Sequence, residues 1–390
     1  MQHTAGAYPA AEVTLARRAT WREHDAMVDD IGSAATAPSF EYVYSDDFAA
    51  LLEQLGISLL VSTYQAGKLM LVRAAGGKLS TLLRNFEEPM GLGLNERQDR
   101  LVVGTKRMVW TLAAEPQIAR QLDPPGRHDA CFVPRTAHVT GAIDGHEIAI
   151  LDGKIWLTNT LLSCLCTLDD PEYGFVPRWR PSFVDRLVAE DRCHLNGMAI
   201  DEGKVRFVTA LGATNDALGW KPDKVRGGVL LDVAANAIVA QGLCMPHSPR
   251  CHRQHVFVLN SGQGHLCIVD TQSGSLTTIA ALPGYTRGLA LHGHYAFVGL
   301  SLIREVDTFG GLPITKRLTE AQRQCGIHAV DLRTGQIVGF LQFTSGCAEL
   351  FDIQVLRGMR FPTVIGFQDE KLDGILIAPP ATWQPGARLS

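Results

Sequence analysis

The chain has 390 residues, 46% of them hydrophobic and 19% charged, a globular composition with ample material for a large core. Its formal net charge of -4 and pI near 6.4 exclude the basic surplus by which nucleic-acid binders hold a polyanion. No run of about 18 uninterrupted apolar residues occurs, so no membrane span is expected.

In chain order, residues 1–38 read as a loose, Ala-rich N-terminal extension containing Arg17, Arg18 and Arg22. They lack the continuous apolar segment of a signal peptide. The nine cysteines are an odd count without framework spacing, which predicts reduced, mostly buried thiols in a cytoplasmic protein. Helical periodicity is strong only in "SDDFAALLEQLG", where Ser45 or Asp46 can cap the start and Gly56 can end the helix. From residue 57 onward the chain reads as short strands such as "LLVST", "KLMLV", "RLVVGT", "KIWLTN", "VRFVTA" and "HVFVLNS", bounded by Gly, Asp or Asn. Residues 39–382 are expected to form one β-domain, followed by a tail at 383–390.

The strands recur in a fixed order. Each repeat opens on a small-residue strand: "MGLGL", "HEIAI", "NGMAI", "SPRCH", "RGLAL" and "FDIQV". A tight polar turn and richer apolar strands follow, with Asp and Gly suited to the hairpins. Four antiparallel strands repeated every 40–60 residues predict an all-β fold, a single β-propeller. Six repeats carry an inner strand. Segment 57–84 adds three strands ahead of them and 40–45 one more, so the count favours seven blades, with six the alternative.

Parity places the loops. Turns between strands one and two, and three and four, share one face of the disc and read as short. Residues 114–145, 178–195, 211–226 and 303–324 are long and are expected on the other face, where long loops on a rigid scaffold build a binding site.

Where the chain enters each inner strand on that face stand Glu88, His146, His194, His247, Arg287, Glu349 and Asp352, with Asn196 and Arg250 just inside. Three imidazoles at one level suit a single divalent transition metal, Fe, Cu or Zn, with His138 as a candidate fourth ligand. In "CMPHSPRCH", residues 244–252, only His247 reaches the funnel mouth. Cys251 lies four residues along an extended strand, about 13 Å away, beyond any shared coordination shell. Glu349 or Asp352 would orient a ligand or act as base. Arg250, Arg287 and Arg304 could clamp a substrate carboxylate or phosphate, with Asn196 beside them. "HEIAI" lacks the second His of the zinc-protease motif, and "GLGLNE" and "GQGHLC" complete no dinucleotide fingerprint, so no nucleotide cofactor is expected.

The stretches "STYQAGKLMLVR", "HLNGMAI", "VTALG", "MPHSPR", "VLNSG", "TRGLALHGHYAFVGLS", "TFGGLP" and "ELFDIQVL" occur in one order from about residue 40 to 380. As a set they resemble a bacterial family of conserved hypothetical β-propeller proteins with a domain of unknown function. "LNGMAI" and "TRGLAL" are more distantly similar to inner strands of gluconolactonase-like and NHL-type propellers. Those lactonases hold a divalent ion with Glu, Asn and Asp, whereas this funnel is rich in His. In arrangement alone, a ring of histidines is similar to the four-His iron site of the carotenoid-cleaving oxygenases.

Three functions follow as expectations. The leading one is a metal-dependent enzyme, favouring oxidoreductase chemistry, acting on a small molecule or peptide. The second is a lactonase-like hydrolase using Glu88, Asn196, Glu349 and Asp352. The third is a non-catalytic binding platform, with a funnel plugged by its own side chains and exposed Trp179 and Trp220. No nucleic-acid or membrane partner is expected.

Overall fold

Six sheets, antiparallel except where the short strand Thr363–Val364 pairs parallel with Cys131–Phe132, form in the computed structural model, which describes residues 40–303 and 310–377. Arg304 and the segments 1–38 and 383–390 named above lie outside the described residues. Blade 2 runs Leu92–Leu94, Arg100–Gly104, Met108–Ala114 and Cys131–Val139. Blade 3 is Gly145–Leu151, Lys154–Asn159, Cys164–Thr167 and Val176–Trp179. Blade 4 is Leu195–Asp201, Lys204–Ala210, Gly228–Asp232 and Ala237–Leu243. Blade 5 is Pro246–His252, His255–Asn260, His265–Val269 and Leu276–Ala281. Blade 6 is Tyr285–His292, Tyr295–Ser301, Gly326–Asp331 and Gln336–Ser345.

Blade 1 corrects the count of seven. Its outer three strands, Ile57–Ser62, Lys68–Ala75 and Lys78–Asn85, take their inner strand from the far end of the chain, Asp352–Arg357. Ser62 pairs with Asp352 and Ile57 with Arg357. The "FDIQV" strand therefore opens no blade of its own; it completes the first one. The 40–45 segment supplies no blade either: Glu41–Tyr44 adds a fifth strand to the rim of blade 6. Successive inner strands pack on one another around the ring, and the last packs on the first, so the propeller has six blades.

The helix Asp46–Leu55 buries Phe48, Ala49, Leu51 and Leu52, and Gly56 ends it at φ 65° with its N–H on the carbonyls of Glu53 and Leu52. Glycine suits that left-handed position because it carries no Cβ. Ser45 occupies the N-cap, but its side chain makes no cap bond. Its hydroxyl accepts the Phe340 N–H at 3.1 Å instead and ties the helix to blade 6.

The inner strands approach so closely that glycine is required between them. A Cβ on Gly197 would lie 2.4 Å from Cδ of Pro249 on blade 5 and 2.6 Å from Oγ1 of Thr209. Neither atom can yield, since one belongs to a ring and the other is hydrogen-bonded to Asn196. Gly197→Ala should therefore lower the unfolding free energy by about 1–3 kcal/mol, the usual cost of overpacking. Urea denaturation checks this, and an unchanged midpoint would contradict the packing.

One loop changes face. Residues 115–130 join the third and fourth strands of blade 2, so they belong to the short-turn side rather than the funnel side. The long segments 180–194 and 211–227, with the connection that begins at Leu302, remain on the funnel side.

Candidate functional site

At the funnel, two imidazoles are mounted in the same way. His146 Nδ1 lies 2.8 Å from the Asp144 carbonyl and 2.9 Å from Thr160 Oγ1. His247 Nδ1 lies 2.9 Å from the Met245 carbonyl and 3.1 Å from Ser261 Oγ. In each case a residue two places upstream turns left-handed, Asp144 at φ 53° and Met245 at φ 49°, and aims its carbonyl at the ring. In each case a hydroxyl follows an Asn at the end of the second strand, in Asn159–Thr160 and Asn260–Ser261. The Thr160 hydroxyl donates its proton to the Leu195 carbonyl at 2.6 Å. Its oxygen can then only accept from the ring, which assigns the Nδ1–H tautomer and leaves Nε2 as the acceptor.

His194 differs. Its Nδ1 lies 2.9 Å from Asp191 Oδ2, and the same oxygen accepts the Trp220 indole N–H at 3.0 Å. Asp191 Oδ1 is buried without a partner. His194 itself sits at φ 52° and Asp191 at φ 46°. Non-glycine residues rarely hold this conformation, which costs about 1–3 kcal/mol. On the funnel side Tyr64, Glu88, Asp144, Asp191, His194, Met245 and Ser248 all hold it.

An arc of rings crosses the floor. Trp220 and His194 have centroids 4.6 Å apart, His194 and His146 4.9 Å, His146 and Phe351 5.2 Å, and Phe351 and Tyr64 5.5 Å. Arg287 lies flat over Phe351, 3.6 Å from its centroid, and donates through Nη1 to Glu349 at 2.9 Å. His247 stands against Tyr285, with centroids 5.8 Å apart. Burial, with His194 and Arg287 nearby, holds the His146 imidazole well below its ordinary pKa. Burial, Arg287 and His194 do the same to His247. Both rings are neutral at pH 7.

One residue deeper, the axis is crossed by charge. Glu147 follows His146, and Asp352 follows Phe351. Arg250 donates through Nη2 to Glu147 at 2.9 Å and to Asp352 at 3.3 Å, and through Nε to the Leu289 carbonyl at 2.9 Å. Asp352 also accepts the Leu92 N–H at 2.9 Å. Asn196 bonds the Pro246 carbonyl at 3.0 Å and the Thr209 hydroxyl at 2.7 Å. These side chains tie all six inner strands together. Two carboxylates face one guanidinium, and burial pushes both carboxyls up.

The family profile described as "Domain of unknown function (DUF4915)" matches residues 46–365, most of the chain. The chain belongs to the DUF4915 family. A search of curated proteins gives no significant match. Among solved structures, the chain is similar to one in a nidogen/laminin complex, at 12% identity and TM-score 0.47 over 77% of this chain and 99% of that one. It is also similar to a protein of unknown function from Bacteroides caccae, at 10% identity and TM-score 0.47 over the same shares.

In this DUF4915 chain the expected residues divide into groups. His146 and His194 meet, with His247, Arg287 and Glu349 on the same floor. His138 does not join them: it lies on the fourth strand of blade 2, with Nε2 3.0 Å from the Gly174 carbonyl. Asp352, Arg250 and Asn196 serve the inter-strand ties below the floor. Glu88 pairs with Lys106 at 2.8 Å. Trp220, which only the binding-platform reading required to be exposed, is buried against His194, and Trp179 is half-buried. In "CMPHSPRCH", Cys244 is buried and His252 bonds the Gly293 carbonyl at 2.9 Å, so His247 alone reaches the floor.

Sequence reasoning missed Asp191, Glu147, Tyr64, Tyr285 and Phe351. The repeated Asn–Thr and Asn–Ser pairs were a readable signal for two of the His mounts; Asp191 stands three residues before His194, but no repeat marks it. Among the described residues, no group of three or more His, Cys, Asp or Glu side chains is placed to hold a metal ion. The His146–His194 pair comes nearest to such a group.

Proposed function

We propose that the funnel is the active site of an enzyme that moves a proton on a small molecule, with His194 as general base and Asp191 as its anchor. The observation that carries this reading is the 2.9 Å bond between Asp191 Oδ2 and His194 Nδ1. It fixes the ring so that Nε2 takes the proton while the carboxylate stabilises the imidazolium that forms. His146, neutral and in ring contact, offers a second Nε2. Arg250, Glu147 and Asp352 cross the axis one residue deeper than this floor, where Arg287 lies over Phe351.

A second reading keeps a transition metal, Fe, Cu or Zn, on His146 and His194. In its favour, each ring commits Nδ1 to a fixed acceptor, as a ligating histidine usually does to hold its ring in place. Zinc would acidify a bound water, and iron or copper would bring redox chemistry. A lactonase-like site draws no support from the geometry, since Glu88, Asn196, Glu349 and Asp352 are each engaged elsewhere. The crossed axis is the one feature shared with a binding platform.

We place the protein in a reducing, cytoplasmic compartment, because all nine cysteines are unpaired and eight are buried. Among the described residues no helix is long and apolar enough to cross a membrane.

The test is a proton NMR screen of small metabolites with the full chain in D2O, scoring deuterium incorporation or turnover. At least one compound should react with the wild type and fail with His194→Ala. Equal reaction with His194→Ala would overturn the acid–base reading. Elemental analysis after incubation with Zn, Fe(II) or Cu separates the second reading. A full equivalent lost in the His146→Ala variant would favour it; less than about a tenth of an equivalent would remove it.

A further inference from the structure

We propose that the funnel floor binds a small hydroxy-monocarboxylate, its carboxylate held by the open edge of the Arg287 guanidinium and its hydroxyl by an imidazole Nε2. The proposal rests on the reading of the funnel as a small-molecule site and names the ligand class.

Arg287 is the cation shared by the whole floor. Its charge acts on Tyr64 of blade 1, on His146 at the entry to blade 3, on His247 of blade 5 and on Tyr285 of blade 6. Among the described residues no other charged group acts on all four. Gly288, next in sequence, holds φ 82° and lies against Asp352, with space for a Cβ only 3.0 Å from its Cα. That close approach fixes where the Arg287 side chain starts.

The guanidinium plane is fixed as well. Phe351 covers one face at 3.6 Å, and Glu349 Oε1 takes Nη1 at 2.9 Å. Among the described residues Nε and Nη2 donate to no further partner, and about 10% of the side chain stays open. A guanidinium carries five N–H donors in a flat fork that matches a carboxylate in two parallel bonds. The edge left over has that geometry.

Charge limits the ligand to one negative unit. At Tyr64 three carboxylates, Glu88, Glu349 and Asp144, act against the one guanidinium of Arg287, and Lys106 is paired with Glu88. Dianionic phosphate would meet more repulsion than a single guanidinium offsets. The imidazoles narrow the class further. His146 and His247 are neutral, with Nδ1 committed as donor, so each Nε2 accepts. An accepting nitrogen beside a carboxylate fork suits a ligand hydroxyl, and a site built to pair a hydroxyl discriminates against the analogue without one.

Titration calorimetry on the full chain tests this with lactate, glycerate, propionate and inorganic phosphate as probes. Lactate or glycerate should bind, propionate more weakly, and phosphate weakest. Arg287→Lys keeps the charge but loses the fork, and should weaken lactate at least about tenfold. Glu349→Gln removes the competing carboxylate and should tighten lactate severalfold, which guards against a folding defect in the lysine variant. The proposal fails if no carboxylate binds below about 10 mM, if phosphate binds tightest, if propionate matches lactate, or if Glu349→Gln weakens binding. Asp191→Asn should leave lactate affinity within about twofold, so loss of turnover with binding intact would separate the two proposals.

Discussion

Replacing Arg250 by methionine is expected to lower the unfolding free energy by about 3–5 kcal/mol. The guanidinium bridges blade 5 to Glu147 of blade 3 and Asp352 of blade 1, and its Nε reaches blade 6. Methionine matches much of the volume but leaves two buried carboxylates facing each other with no counter-charge. Their desolvation is then uncompensated, and the strands that close the ring lose their common partner. Adding Glu147→Gln to Arg250→Met should restore part of the loss, because one of the stranded charges is gone. Denaturant unfolding at pH 9, above the raised Glu147 pKa of about 8, measures both. A loss below about 1 kcal/mol would show that the axial charges are solvated rather than structural.

The same cluster sets a pH dependence. Burial first, with Asp352 adding to it against Arg250, raises Glu147 from 4.5 to about 8. A carboxyl raised on folding contributes stability that is full below its unfolded pKa and is lost as pH climbs to the folded one. Wild-type stability should therefore carry a downward component between about pH 4.5 and 8. Glu147→Gln cannot ionise, and its melting curve should lack that component.

Asp191→Asn is expected to cut turnover about 10²- to 10⁴-fold, once a substrate is found by the exchange screen. The substitution keeps the shape and removes the charge. Oδ2 currently accepts from both His194 Nδ1 and Trp220 Nε1. If the asparagine turns its amide nitrogen toward them, His194 loses its acceptor and adopts the other tautomer, with the proton on Nε2, where a base needs a lone pair. If it turns its oxygen there, the tautomer survives but the imidazolium loses its stabilising anion. Either outcome slows proton transfer. Nitrogen-15 NMR of labelled histidine distinguishes them, and unchanged kcat would remove Asp191 from the mechanism.

Much of this protein was written locally. Alternating apolar residues, Asp and Gly at the hairpins and small residues on every first strand specify twisted four-stranded sheets, because pleat and turn chemistry depend only on near neighbours. The same pattern put His146, His194, His247 and Arg287 at one level, since each enters an inner strand at the same register. Tertiary structure alone decided what depends on distant pairing. Six blades rather than seven follows from residues 290 apart in the chain, Ser62 and Asp352, bonding at 3.0 Å to close the ring. The carboxylate that holds His194 lies only three residues before it, but the Trp220 indole that shares its oxygen comes from 29 residues away. The separation of Arg287, stacked on Phe351 in the floor, from Arg250, which bridges Glu147 and Asp352 at the axis, follows from which faces the closed ring turns inward. Closure and burial act through space, and no window of neighbouring residues records them.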